Sequence, residues 1–395
     1  MTCTSRTTLG LILLLAAGCH HNPGSPARSP LSSHGNLAIV GCDETTGWDD
    51  NLGLQPAAPG PDELLLIDLS SPGQPRVEAR MPLSNSVYGP PTNLVLASSG
   101  RLALLASSIR MTLDAGKWTN GPDDEVHVID LSGPVAKVTQ VVVGKQPSGI
   151  DISPDGTLAL VANRKGRSVS LLNLRTNPVV VLEEIAVDAE AADVKFTPDG
   201  KRAVVTNYDA RSVTMLDVRD GHAKVAGRVD VEPFPYSVSI TPNGRLALVG
   251  NMGDKTGSDG VDDAISVIDL QSQPPTVVQR IVVGDGPEGL AISPDGKLAA
   301  VVILNGSNAA PTAAHYHKTG MLRLLSIGGV NGNQVVAGVA INVGTMAEGA
   351  KFSVDGTHLI VGNFRDRDLT VLSVKDGAAS VVRRVPLYCR PASMK

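Results

Sequence analysis

The sequence predicts an all-β fold, a seven-bladed β-propeller with four-stranded antiparallel blades. Two observations predict it: a turn that recurs at blade-sized intervals, and short apolar alternations that fill the chain between the turns. Seven turns end in a glycine, at Gly35, Gly100, Gly156, Gly200, Gly244, Gly296 and Gly356. The tightest spacing between these glycines is 44 residues, a period typical of propeller blades. No segment has the pattern of an amphipathic helix.

The unit that starts at Pro147 shows the four predicted strands in order. The first two are SGIDI and LALVAN, joined by a Ser-Pro-Asp-Gly turn that ends at Gly156. The third is SVSLLNL and the fourth is VVVLEEIAV, after which the next unit begins. Alternating apolar residues and many β-branched side chains favour strands over helices in all four segments.

These motifs resemble the YVTN family of β-propeller repeats. The family marks are Gly-x-x-Pro-x-Gly before the first strand, Ser-Pro-Asp-Gly after it, and Ala-Asn after the second strand. They stand in this sequence as GKQPSGIDISPDGTLALVAN and GDGPEGLAISPDGKLAAVV. The resemblance extends over residues 32–395 and implies one propeller domain there. It implies no single activity, because propellers of this superfamily include lactonases, dehydrogenase subunits, binding proteins and surface proteins.

The two ends of the predicted domain complement each other. The first unit begins at Ser32 with the turn and lacks an innermost strand, whereas residues 390–393 match residues 146–149, which open an innermost strand. We therefore expect the C-terminal strand to join the N-terminal blade and close the ring, which removes open sheet edges. This register places Cys42 nearly opposite Cys389 and predicts a disulfide; the alternative is two buried free thiols.

The first residues differ in composition from the rest of the chain. Arg6 precedes the apolar run LGLILLLAA, and small residues lead to Cys19. This layout predicts a lipoprotein signal peptide over residues 1–18, a lipid anchor on Cys19 and a flexible Pro/Ser-rich tether over residues 19–31. His20 follows the cysteine, which favours the outer over the inner membrane of the cell envelope. An ordinary cleaved signal or a membrane span are the alternatives, although the run is short for a span.

Composition limits the partners of the domain. The net charge is −5 and no basic run occurs, which argues against nucleic-acid binding. The sequence shows no cofactor motif, and a divalent cation such as calcium is the one inorganic partner that it suggests. We expect a monomer that is anchored to the membrane by its lipid and that binds a protein, a glycan or a small molecule through the propeller domain.

One ring of residues is predicted to surround the mouth of the central channel, eight positions before each turn glycine. Two of its members, Glu288 and Glu348, lie on adjacent blades and could share a proton or a cation, with His315 or His317 reaching over them. These four residues are the catalytic candidates. The simpler interpretation is that both glutamates are solvated in a wet channel.

The loops after the second strands are predicted to lie together on one face, which we call the top face. Four of them, in the first, second, fifth and sixth blades, are long, and insertions on one face of a repeat array often bind ligands. The aromatic candidates for ligand contact on this face are Trp48, Trp118, Tyr236 and Tyr316. Acidic residues enrich two loops, and Asp262 and Asp263 are weak candidates for a metal site. Tolerated surface variation is the alternative.

Two functions are consistent with these features. The first is a membrane-anchored binding or scaffold module that uses its long top-face loops, and the sequence favours it because it needs only an exposed, rigidly held surface. The alternative is a lactonase-like or other metal-assisted hydrolase with its site at the channel mouth. The enzyme would need a convergent polar cluster with a metal or with a raised carboxyl pKa.

Overall fold

The chain forms seven four-stranded antiparallel sheets arranged as the blades of one propeller. The computed structural model describes residues 36–45, 47–48, 54–55, 58–133, 135–329 and 332–395. The predicted signal peptide, Cys19, the tether and Ser32 lie outside these ranges. No α-helix occurs among the described residues, and none of them forms a helix that could cross a membrane. The predicted fold class is confirmed.

Each blade contains an innermost, a second, a third and an outer strand. Within each kind the strands follow in the order of blades 1 to 7. The innermost strands are Pro391–Met394, Leu94–Leu96, Pro147–Ile152, Ala191–Phe196, Pro235–Ile240, Pro287–Ile292 and Ala347–Phe352. The second strands are Leu37–Cys42, Leu102–Asp114, Leu158–Asn163, Arg202–Asn207, Leu246–Asn251, Leu298–Ile303 and His358–Asn363. The third strands are Glu63–Asp68, Lys117–Asp130, Ser168–Asn173, Ser212–Arg219, Asp263–Asp269, Met321–Gly328 and Asp368–Lys375. The outer strands are Arg76–Pro82, Lys137–Val142, Val180–Ala186, His222–Asp230, Thr276–Gly284, Gln334–Asn342 and Ala378–Pro386.

The hydrophobic core lies between the blades. Buried apolar side chains form a separate cluster at each of the seven boundaries between adjacent blades in the described part of the chain. At the boundary of blades 3 and 4, for example, Leu160 and Val169 pack against Val194 and Val205. Aliphatic residues fill these clusters because the chain has only 3% aromatic residues. Each blade is therefore held mainly by its two neighbours.

The recurring Ser-Pro-Asp-Gly turn has a specific hydrogen-bond pattern. In blade 3 the Ser153 hydroxyl donates to the Asp155 carboxylate at 2.7 Å and accepts from the Leu158 amide at 2.9 Å. Gly156 adopts a φ of 72°, which glycine tolerates and other residues rarely adopt. The same arrangement holds the turns of blades 4 to 7. The motif recurs because the serine and aspartate supply the side-chain hydrogen bonds of the turn and the glycine adopts its positive φ.

A buried asparagine ends the second strand in four blades. The Asn163 side-chain amide donates to the hydroxyl groups of Ser168 and Ser170 on the third strand, at 3.1 and 2.9 Å. Asn207 also donates to two hydroxyl groups of the third strand, whereas Asn251 and Asn363 each donate to one hydroxyl group and to a second oxygen, the Ala264 carbonyl and the Asp368 carboxylate respectively. These side chains fix the start of the top-face loop in those four blades, which positions the residue that follows the asparagine.

Ring closure occurs as expected. The strand Pro391–Met394 pairs with Leu37–Cys42, and Val40 lies opposite Met394. The Cys42–Cys389 disulfide links the same blade, with a Cα–Cα distance of 5.7 Å. Both predictions are confirmed.

The top face differs from expectation in blade 2. The long segment after its second strand is not a loop, because the second and third strands continue outward as a hairpin with a turn at Ala115 and Gly116. Trp118 belongs to this hairpin and lies opposite Leu113. Blade 1 also carries a small hairpin, Gly47–Trp48 with Leu54–Gln55, inside its long connection. Continuous strand pairing stabilises the blade 2 segment without a loop.

Most innermost strands contain a β-bulge near their top-face end. In blade 4 the register shifts between Ala191 and Val194, and blades 3, 5, 6 and 7 show the same irregularity. A bulge changes the alternation of side chains along a strand. Residues eight and five positions before the turn glycine can therefore both face the channel, although an ideal strand would turn them to opposite faces.

Candidate functional site

A cavity of about 470 Å³ opens on the top face at the mouth of the central channel. Its volume suits a small-molecule ligand. Two sets of residues from equivalent blade positions form part of its lining. The first starts the innermost strands and comprises Tyr236, Glu288, Glu348 and Ala392. The second follows the second strands and comprises Asp43, Arg164, Tyr208, Met252, Leu304 and Phe364.

Glu288 and Glu348 are the second residues of the innermost strands of blades 6 and 7. The two strands approach closely because Gly289 follows Glu288: a Cβ atom at Gly289 would clash with the Glu348 carbonyl oxygen. The side chains of the two glutamates consequently meet at the channel mouth and hydrogen-bond to each other. The glycine of Pro-Glu-Gly thus allows the close approach of the two strands, and the glutamate before it faces the cavity.

The pKa values of both glutamates are raised. Burial raises the pKa of Glu288 to about 8, against the opposing effects of hydrogen bonds from Glu348 and Tyr236 and of the Arg164 charge. Burial and then the negative charge of Glu288 raise the pKa of Glu348 well above its usual range. The pair therefore keeps at least one proton at neutral pH. Glu288 is the member whose ionised form is stabilised by neighbours.

Tyr236 extends the pair onto blade 5. It stands at the same position of its innermost strand as the two glutamates, and its hydroxyl group hydrogen-bonds to the Glu288 carboxyl. Burial, followed by the negative charge of Glu288, raises the pKa of Tyr236 well above its usual value. The phenol consequently stays neutral and can act as a hydrogen-bond donor in the cavity.

Arg164 is the buried cation of the site. Its guanidinium carbon lies 4.4 Å from the ring centroid of Tyr208 and 5.3 Å from that of Tyr88. Nη1 donates to the Tyr88 carbonyl oxygen at 2.9 Å, and Nη2 lies 3.4 Å from the Glu190 carboxylate. The Arg164 Nε atom is buried and has no hydrogen-bond partner among the described residues. A buried donor of this kind favours a ligand that brings an acceptor.

Charged residues at the rim of the cavity are mostly paired with each other. The Lys165 ammonium lies 2.7 Å from Glu190, and Arg167 lies 2.7 Å from Asp209. These pairs are solvent-exposed, so their contribution to stability is small. Their positions frame the cavity on the side of blades 3 and 4.

The structure brings together three of the residues that the sequence indicated: Glu288, Glu348 and Tyr236. His315, Tyr316 and His317 lie in the blade 6 connection and are not among the residues that line the cavity. Trp118 lies on the blade 2 hairpin, away from this lining. The backbone of Trp48 lies in the small blade 1 hairpin, and Cys19 lies outside the described residues.

The two blade 5 aspartates differ in their surroundings. Asp262 is exposed, whereas Asp263 is buried and accepts a hydrogen bond from the Gly286 amide at 3.0 Å. Burial raises the pKa of Asp263 to about 7, and nearby aspartates act in the same direction. Within the described ranges no group of three or more His, Cys, Asp or Glu side chains is arranged to hold a metal ion. The calcium site thus stays a prediction.

Sequence reasoning missed Arg164, Tyr208 and Tyr88. A signal for the first two existed in the repeat, because each directly follows the buried asparagine that ends a second strand. Aligning on that asparagine would have indicated a second ring at the mouth, composed of Asp43, Arg164, Tyr208, Met252, Leu304 and Phe364. Tyr88 lies in the link between blades 1 and 2 and has no counterpart in the repeat.

Comparisons with known proteins identify structural neighbours only. No protein-family model and no curated protein matches the sequence. A periplasmic gluconolactonase of Pseudomonas aeruginosa is similar, with a TM-score of 0.64 and 16% identity over 91% of this chain and 98% of that one. A proposed 6-phosphogluconolactonase of Bacteroides uniformis has a TM-score of 0.65 and 14% identity, over 91% of this chain and 99% of that one. A hydrazine synthase chain of Kuenenia stuttgartiensis has a TM-score of 0.61 and 19% identity, over 80% of this chain and 92% of that one. At such identities these likenesses show the propeller fold alone.

Proposed function

We propose that the protein hydrolyses a small, polar lactone in the cavity at the channel mouth. The observation that carries this proposal is the hydrogen-bonded Glu288–Glu348 pair with its raised pKa values, placed beside Arg164. A carboxyl pair that shares protons can supply both a general base and a general acid. The names of two of the structural neighbours, a gluconolactonase and a proposed 6-phosphogluconolactonase, agree with this chemistry.

The two glutamates take different roles in the reaction. Ionised Glu288 accepts a proton from a water molecule, and the water oxygen forms a bond to the lactone carbonyl carbon. The bond between that carbon and the ring oxygen then breaks, and protonated Glu348 gives its proton to the ring oxygen. The product is a hydroxy acid. The proton gained by Glu288 returns to Glu348 through their hydrogen bond, which restores the starting state.

Arg164 and Tyr236 support this reaction electrostatically. The carbonyl oxygen becomes negatively charged when water adds, and the buried Arg164 charge stabilises such an anion in a site partly shielded from water. Tyr236 hydrogen-bonds to Glu288 and holds the base in place. The tyrosine rings of Tyr88 and Tyr208 fix the guanidinium group. Arg164, Tyr208 and Tyr236 are held by the blades before a ligand binds.

Hydrolysis of δ-gluconolactone, followed by acid release between pH 6 and 9, tests the proposal. We expect the wild-type protein to exceed the uncatalysed rate, and Glu288→Gln to lose at least about 100-fold of kcat/KM because it has no base. Glu78→Gln, an exposed change on the outer strand of blade 1, is the matched control. Equal rates of the wild type and Glu288→Gln would contradict the proposal. Repeating the assay with EDTA and with added calcium tests the expected divalent cation.

A binding module is the second candidate function. The aromatic rings around Arg164 and the unpartnered Nε favour capture of a ligand even without turnover. Calorimetric titration with gluconate and with neutral sugars separates the two candidates. Binding that depends on Arg164 but not on Glu288, without hydrolysis, would favour the binding module.

We also propose that the protein is a lipoprotein of the cell envelope, anchored through Cys19. The Cys42–Cys389 disulfide supports export, because disulfides persist in oxidising compartments. The repeat motifs likewise support membership of the YVTN family. Expression of wild type and Cys19→Ala, followed by separation of inner and outer membranes, tests the anchor. We expect only the wild type in the outer-membrane fraction, and a variant that stays membrane-bound would contradict the lipid anchor.

A further inference from the structure

A second set of charged residues lies deeper in the central channel than the carboxyl pair. Five positions before the turn glycine, the innermost strands of blades 4 and 7 carry Lys195 and Lys351. Lys395 takes the same position in blade 1, because it pairs with Ile39 as Lys195 pairs with Val204. The β-bulge above these positions lets them face the channel. We call Lys195, Lys351 and Lys395 the lysine ring.

The three lysines are electrostatically close although they come from different blades. Burial lowers the pKa of Lys395 to about 7, and the positive charges of Lys195 and Lys351 act in the same direction. The lysine ring lies three residues further along the strands than the glutamate pair, which corresponds to roughly 10 Å. It is therefore a separate location from the proposed lactone site.

Two aspartates face the lysine ring, and both are held by backbone amides. Asp193 accepts from the amides of Val194 and Val238 at 2.8 and 2.9 Å. Asp151 accepts from the Phe196 amide at 2.9 Å. The Lys195 ammonium lies 3.6 Å from Asp151 and 3.8 Å from Asp193, and both carboxylates also act on Lys395, whose pKa they raise against the effect of burial.

The charge of Lys351 is not compensated by a carboxylate among the described residues. No hydrogen bond or ion pair of its ammonium group occurs within the described ranges, and burial alone lowers its pKa. The Lys351 side chain is half-buried, and an ammonium group without a protein partner in this position favours binding of an anion that supplies acceptors. Three lysines with several N–H donors each match an anion with several oxygens better than they match a carboxylate.

We propose that the lysine ring binds a small tetrahedral oxyanion, either inorganic phosphate or sulfate. The anion bridges ammonium groups of blades 1, 4 and 7 and so connects opposite sides of the ring. Lys351 contributes most to binding because its charge is otherwise unpaired. The proposal does not depend on hydrolysis at the channel mouth.

Thermal unfolding of the full protein in HEPES buffer at constant ionic strength tests the site. We expect phosphate or sulfate to raise Tm in a saturable way, whereas chloride at the same ionic strength does not. Separate titrations with each anion show which of the two binds. An equal effect of chloride would overturn the proposal, because general screening would then explain the stabilisation.

Lys351→Met supplies the decisive variant, since methionine keeps most of the side-chain volume and removes the charge. We expect it to fold with a Tm at least equal to that of the wild type without anion, and to bind the anion at least about tenfold more weakly by calorimetry. Lys165→Met, at the rim of the upper cavity, is the matched control and should keep wild-type affinity. Loss of binding in Lys165→Met with full binding in Lys351→Met would overturn the proposal.

Discussion

The carboxyl groups of Glu288 and Glu348 hydrogen-bond to each other across the boundary between blades 6 and 7. The contact depends on Gly289, which lets the two innermost strands approach. A pair in this arrangement releases its first proton at an unusually high pH. Both the proposed activity and the stability of the protein should therefore depend on pH in a range where ordinary glutamates do not titrate.

Lactone hydrolysis should increase as the pH rises toward about 8, the pKa of Glu288, because the reaction needs this residue ionised and Glu348 protonated. The measurement is kcat/KM for δ-gluconolactone against pH, after subtraction of the uncatalysed rate. Glu288→Gln should show no such rise. A profile already flat from pH 5 upward would contradict the assignment of Glu288 as the base.

The stability of the wild type should fall with rising pH between about 5 and 8, relative to Glu288→Gln. The folded protein holds a proton on Glu288 up to pH 8, whereas the unfolded chain releases it near pH 4.5. Stability from this group is thus complete below pH 4.5 and is lost as the pH rises, by at most about 1.4 kcal/mol for each pH unit. Urea unfolding of both proteins at several pH values measures the difference. Parallel curves would show that the Glu288 pKa is not raised.

Gly289→Ala should disrupt the carboxyl pair without removing either glutamate. The added methyl group meets the Glu348 carbonyl oxygen, so the two innermost strands must separate. We expect lower stability and a downward shift of the Glu288 pKa toward that of a solvated glutamate. Gly227→Ala is the control, because a Cβ atom at Gly227 meets no other atom within 4 Å. Equal stability of the two variants would contradict the close approach.

Removal of the disulfide should destabilise the protein by several kcal/mol, with about 6 kcal/mol as an upper value from the loop-entropy relation. The bridged residues are 347 positions apart, so the bond restricts a very large loop in the unfolded chain. Thermal unfolding of Cys42→Ala with Cys389→Ala, compared with the wild type, measures the loss. Thiol titration in denaturant provides the check: Cys42→Ala alone should gain one reactive thiol over the wild type. No gain would mean that the bond is absent.

Asn207→Ala should lower stability by about 1–3 kcal/mol, because it leaves two buried hydroxyl groups without their partner. The Asn207 amide donates to Ser212 at 3.0 Å and to Thr214 at 2.9 Å. It also precedes Tyr208, so the variant should weaken ligand binding at the mouth. Asn120→Ala, an exposed change on the blade 2 hairpin, should do neither. Chemical denaturation of both variants measures the difference.

The blade architecture was predictable because each turn solves a local problem with local residues. The Ser-Pro-Asp-Gly sequence forms its turn with its own side chains and the adjacent backbone, so its spacing along the chain directly indicates the number of blades. The same register placed Cys42 next to Cys389 and put Tyr236, Glu288 and Glu348 in one ring. Positions that repeat with the blades are therefore the ones that the sequence predicts best.

The rest of the site depends on features that the residue pattern of the repeats does not indicate. The β-bulge in the innermost strands changes which residues face the channel, so simple alternation misses Lys195 and Lys351. Tyr88 reaches Arg164 from the link between blades 1 and 2, a contact over 76 residues that no local pattern indicates. The position of His315 depends on the path of a long irregular connection, which spacing alone does not define.

Ring closure has a consequence for the order of folding. Each blade boundary except the last is formed by neighbouring segments, so most of the structure can assemble through contacts of short range along the chain. Blade 1 is different, because Ile39 must pair with Lys395 across nearly the entire domain. Contacts of such high sequence separation form slowly. Until they form, the second strand of blade 1 presents an unpaired sheet edge that can join another chain. The folding chain therefore depends on rapid completion of this single blade to avoid aggregation.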